Sequence, residues 1–180
     1  MDKIKELNER LRDILIDKTD AYWDIDKVKF NIFCSCMDVL DDTTLAISHY
    51  VDKGLGLDEE ERYLKLYGLL QAVIIQQDSI IELYKLLDIK YSLKDGFKQM
   101  RRIRIIAGGH PTNFSRGEFC TFISRVTITN TSFEICCYDK KNQLNSHEKI
   151  NLQDCLNEHV SELSDCLEDL IKLFGEKDSF

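Results

Sequence analysis

Residues 64–87 read LKLYGLLQAVIIQQDSIIELYKLL. Leu66, Leu70, Val73, Ile74, Gln77, Ile80, Ile81, Tyr84 and Leu87 recur at steps of three and four, the period of one helix face. The spacing predicts a long helix over about 58–88, the most apolar of the chain. Asp58 to Glu61 put negative charge in its first turn, where the helix dipole favours it. Gln71, Gln76, Gln77, Asp78 and Ser79 interrupt the apolar run 69–81, which is too short and too polar to span a bilayer. Gln77 sits in the middle of the stripe. A buried amide costs stability unless it is hydrogen-bonded, so Gln77 is either satisfied by nearby backbone or orients a site, with Asp78 beside it.

The same period extends outward on both sides. Ile4, Leu7, Leu11 and Ile14 mark a helix over 3–18, and Phe30, Phe33, Met37, Leu40, Thr44, Ile47 and Val51 mark another over 26–51, with Asp24 or Asp26 near its start as a cap. A fourth helix runs from about Leu93 to Ala107 and stops at Gly108-Gly109. The period then changes to two. FCTFISRVTIT alternates, Asn130-Thr131-Ser132 turns, and FEICCY alternates again, which predicts a β-hairpin over about 119–139. A last helix opens at Asn151 with Asp154 three residues on; its stripe is Leu152, Leu156, His159, Leu163, Cys166, Leu170 and Leu173, ending at Gly175. His159 on that stripe reads as a packed core histidine, and His147, in NSHEK, as part of a surface loop. The expected fold is mainly α: one domain over 1–180, a five-helix up-and-down-type bundle with a β-hairpin inserted between the last two helices.

Composition narrows the function. The formal net charge is −8 over 180 residues, which argues against a protein that coats nucleic acid non-specifically. The charged N-terminus MDKIKELNERLRDIL does not read as a signal peptide, so a cytoplasmic protein with no membrane partner is expected. The seven cysteines are odd in number and form no C-x-x-C pair; they read as reduced, mostly buried thiols. The four histidines lie far apart and form no H-x₃-H or H-E-x-x-H pattern, so neither a metal nor another cofactor is expected. No P-loop or G-x-G-x-x-G fingerprint is present, and Ser115 and Ser124 have no nearby base.

The chemistry concentrates in RRIRIIAGGHPTN, residues 101–113. On the fourth helix Phe97, Met100, Ile103 and Ala107 share the core side, and Arg104 falls at its margin. An arginine there needs an acceptor: Asp78 or Gln77 from within the chain, or a phosphate from outside. His110 precedes Pro111, the only proline, so it is pushed out of the helical region. An imidazole that titrates near neutrality beside a guanidinium suits phosphodiester cleavage by RNA's own 2′-hydroxyl. His110 would serve as general base or acid, and Arg104 would stabilise the phosphorane. Arg101, Thr112, Asn113 and Arg116 are candidate phosphate contacts around them.

Arg104-Ile-Ile-Ala-Gly-Gly-His110, at the end of a core helix and after the long helix IIQQDSIIELYKLL, resembles the HEPN superfamily over roughly 26–175. That resemblance implies a compact helical bundle and metal-independent endoribonuclease activity, in a toxin or phage-defence setting. It also implies a homodimer in which two arginine–histidine pairs share a cleft, with an antitoxin or other protein as a further partner. Ile105, apolar and off the core face, would suit the dimer surface. The alternative is a non-catalytic module of the same fold that binds RNA, a nucleotide or a protein.

Overall fold

The Asp58 carboxylate accepts the Glu61 N–H at 2.7 Å and caps a helix that runs Glu59–Leu86. The computed structural model describes residues 1–22, 27–109 and 115–176. In chain order these form α1 (Asp2–Tyr22), α2 (Lys27–Lys53), α3 (Glu59–Leu86), α4 (Asp95–Arg104), β1 (Phe119–Ile123), β2 (Ser132–Asp139), β3 (Leu144–Asn151) and α5 (Leu152–Glu176). Asp24 and Asp26, read as caps of α2, lie outside the described residues.

α3 is the central helix. Leu66, Leu69, Leu70, Val73, Ile80, Leu83 and Tyr84 are all buried, a stripe wide enough to serve α2, α4 and α5, each of which packs on it. A helix apolar over most of its circumference belongs in a core. α5 presents Leu156, Leu163, Leu167, Leu170 and Phe174 to the interior and packs against α1, α3 and α4.

α4 is held by its start as well as its side. Glu162 of α5 accepts the backbone N–H groups of Gly96 and Phe97, both at 2.9 Å. Those donors have no partner within the helix, and a carboxylate there complements the dipole. Gly96 makes the approach possible: a Cβ on it would lie 3.1 Å from Glu162 Cδ and 3.2 Å from the Glu158 carbonyl carbon. Beyond Arg104 the helix widens into a π turn, Ile105–Gly109.

The expected two-stranded hairpin is instead a three-stranded antiparallel sheet of order β1-β2-β3. β1 ends at Ile123, and Arg125–Thr127 form a 3₁₀ turn where strand was expected. The turn leaves Val126 92% exposed and returns Ile128 to the core. β3, unread in the sequence, pairs with β2 from Leu144 opposite Asp139 to Asn151 opposite Ser132, so His147 lies on a strand and not in a loop. The inner sheet face, with Thr121, Ile123, Phe133, Ile135 and Ile150, is buried. Most of it joins the cluster formed by α3, the end of α4 and the start of α5. β3 passes directly into α5, where Asn151 Oδ1 accepts the Asp154 N–H at 3.3 Å, the cap expected there.

Candidate functional site

Four of the basic side chains on and just before α4 are matched to carboxylates. Lys94 pairs with Asp165 at 3.1 Å and Lys98 with Asp95 at 3.0 Å. Arg101 donates to Asp78, and both terminal nitrogens of Arg102 donate to the two oxygens of Glu148. The hydrogen bonds from Arg102 hold the Glu148 carboxyl below its ordinary range. Pairing of this kind removes most of the positive field that the sequence of α4 implies.

Arg104 differs. Among the described residues its hydrogen-bond partner is a neutral amide: Nη2 donates to Gln71 Oε1 of α3 at 3.3 Å. Asp78, one of its expected partners, is engaged by Arg101. Gln77, the other, is fully buried and lies 3.4 Å from Nδ1 of His159, so it does not orient Arg104. The reason is geometric. α3 turns 100° per residue, so Gln77 faces the core with Val73 and Ile80, whereas Gln71 lies on the opposite, exposed side.

The π turn shapes the ground beneath Arg104. The guanidinium lies over Gly109, where a Cβ would come within 2.9 Å of Nη1, and the ring of Tyr67 lies over Gly108, where a Cβ would meet Cδ1 at 3.1 Å. These two glycines therefore do more than end a helix; they allow both side chains to close on the backbone. Thr121 of β1 fixes the turn from below by donating its hydroxyl to the Ile106 carbonyl at 2.6 Å. Together Tyr67, Leu70, Gln71, Arg104, Ala107 and Gly108 line a cavity of about 330 Å³. It combines a guanidinium, an amide and a phenol that is 45% exposed, a set that can hold an anion and an adjoining planar group.

His110, Thr112 and Asn113 lie outside the described residues. His110 follows Gly109 directly in the sequence. Arg116 is exposed in a 3₁₀ turn, Ser115–Gly117, at left-handed φ of 57°. Tyr67 and Gln71 are site residues that the sequence reading missed. Their signal was present: they lie four apart on α3, off its core stripe, on the side from which Arg104 approaches.

His159 is buried as expected. Its Nε2 is 2.9 Å from Gln76 Oε1, and Gln76 Nε2 donates to Thr44 Oγ1 at 3.1 Å. The neutral tautomer with the proton on Nε2 satisfies these contacts and leaves Nδ1 to accept from Gln77. Burial pushes the imidazole pKa down to about 3. Among the described residues no three His, Cys, Asp or Glu side chains gather as a metal-ligand group, and no helix is long and apolar enough to cross a membrane.

Comparison with protein-family models, curated proteins and solved structures finds no match to this chain.

Proposed function

We propose that this chain is a HEPN-type, metal-independent endoribonuclease built on an up-and-down helical bundle and acting as a cytoplasmic homodimer, in a toxin or phage-defence role. The observation that carries the reading is the state of Arg104 among the described residues. Its neighbours along α4 are matched to carboxylates, while Arg104 meets an amide and lines a cavity. A guanidinium left with a neutral partner at a cavity wall is suited to a phosphodiester, which it can hold bidentately.

In this reading Arg104 binds the scissile phosphate and stabilises the charge that grows on its equatorial oxygens. His110 takes the proton of the attacking 2′-hydroxyl or gives one to the leaving 5′-oxygen. Gln71 holds the guanidinium in place before substrate arrives. Ile105, 37% exposed on the outer side of the π turn, belongs to the dimer surface. The test is cleavage of total RNA in EDTA. Wild type should cut, and Arg104→Ala and His110→Ala should each lose about 10²-fold or more in rate. Equal cleavage by wild type and both variants would refute the assignment.

A second reading has its own support. Tyr67 offers an exposed aromatic face beside the guanidinium, which is enough to bind a nucleotide or single-stranded RNA without chemistry. Binding that Arg104→Ala and Tyr67→Ala both weaken, with no cleavage by wild type, selects that reading.

A further inference from the structure

The outer face of the sheet carries a thiol–imidazole pair. Cys136 of β2 stands directly opposite His147 of β3, and Cys136 Sγ lies 3.3 Å from His147 Nδ1. On the other side Cys136 stands opposite Phe122 of β1. The row Phe122–Cys136–His147 thus crosses all three strands on one face. Phe122 is 58% exposed, His147 is exposed and Cys136 is half-buried. The inner face, with Phe133, Ile135 and Ile150, is buried, so the pair is not part of the core. It is also independent of the Arg104 cavity, which is lined from α3, α4 and the π turn.

We propose that Cys136 is an oxidation-sensitive modification site, with His147 as its proton acceptor and small hydroperoxides as the co-reactant. A thiol is a weak nucleophile until its proton is removed. With the imidazole proton on Nε2, Nδ1 accepts the Cys136 proton along the hydrogen bond already present. The thiolate attacks one peroxide oxygen, an S–O bond forms and the O–O bond breaks. The departing oxygen takes the proton back from the imidazolium and leaves as water or alcohol. Sulfur is oxidised by two electrons and the peroxide reduced by two, giving a sulfenic acid and a neutral His147.

Strand register sets the fate of the sulfenic acid. Cys137 points to the other face of the sheet, and Cys120 stands opposite Tyr138, one pair away from Cys136. A disulfide needs Cβ atoms about 4 Å apart, and the direct neighbours of Cys136 are Phe122 and His147. The sulfenic acid therefore does not close to an internal disulfide. It condenses with a low-molecular-weight thiol instead, forming a mixed disulfide and releasing water. The ionisable groups sharing this face are Cys120, Tyr138, Glu134 and Lys149, the last two being directly opposed across β2 and β3. Their opposite charges face each other, which leaves His147 as the proton acceptor in direct contact with Cys136.

The experiment uses the full chain with substoichiometric hydrogen peroxide, a sulfenic-acid trap and site-resolved mass spectrometry. Cys34, half-buried on α2 and pushed up in pKa by burial and by Asp38, is the internal reference. Cys136 should be trapped about tenfold faster than Cys34, and His147→Asn should slow Cys136 several-fold against that reference at an unchanged melting temperature. A Cys136 rate no greater than that of Cys34, or one that His147→Asn leaves intact, overturns the proposal. A Cys136–Cys120 disulfide as the main product overturns its second step.

Discussion

His159 and Arg104 are both polar side chains bordering apolar surroundings, and their environments give them opposite fates. Arg104 stays at the margin with a neutral partner and access to a cavity. His159 is sealed between Gln76, Gln77 and the ring of Phe97, whose centroid lies 4.9 Å from its own. Its depressed pKa has a consequence for stability. The unfolded chain binds a proton at His159 below about pH 6.5, while the folded chain resists until about pH 3. The unfolded state therefore binds more protons across that window, and stability falls as pH drops through it. Urea titrations at pH 7 and pH 5 should show a loss of about 1–2 kcal/mol. This upper part of the window lies above the carboxylate range, so His159 dominates there. His159→Gln should remove most of that difference, even if its stability at pH 7 is lower. An equal loss in the variant would assign the acid sensitivity to other groups.

At the scale of elements, the π turn is where sheet and helix meet the site. π turns are rare inside helices and recur at functional sites; here the Ile106 carbonyl of the turn accepts the Thr121 hydroxyl from β1. Thr121→Val keeps the shape and removes the donor. It should cost about 1–3 kcal/mol by urea denaturation, the range for a buried polar group left unpaired. It should also weaken RNA or nucleotide binding, because Arg104 and Tyr67 rest on Gly109 and Gly108 of that turn. Loss of stability with binding unchanged would separate the turn from the site. The sequence signalled a break at Gly108-Gly109 but not its form, and the hydroxyl that anchors the turn lies 15 residues from Ile106 on a strand. β3 escaped notice for a related reason. Of LNSHEKIN only Ile150 is buried, so the strand lacks the apolar alternation that marks half-buried strands. Its pairing with β2 defines it instead.

Across the whole molecule, the helices were legible because each carries a long stripe at helical spacing, and α3 and α5 show it over many turns. Side-chain partnerships between elements were not. Asp78 and Gln71 are two turns apart on α3 and face neighbouring parts of α4, and nothing in a single sequence says which arginine takes which. The homodimer proposed here places Ile105 in an interface. Sedimentation should show a dimer for wild type and a shift to monomer for Ile105→Glu, a change that an exposed position in a monomer would tolerate without effect. A monomeric wild type would remove the shared-cleft form of the reading.

The central claim is that Arg104 and His110 direct RNA's own 2′-hydroxyl at the phosphate. It is tested most directly by the ends left on a defined RNA oligonucleotide cut in EDTA. The account predicts a 2′,3′-cyclic phosphate on the upstream fragment, a 5′-hydroxyl on the downstream one, and no cutting at a 2′-deoxy position. A 5′-phosphate on the downstream fragment, or cutting that persists at the 2′-deoxy position, would contradict it.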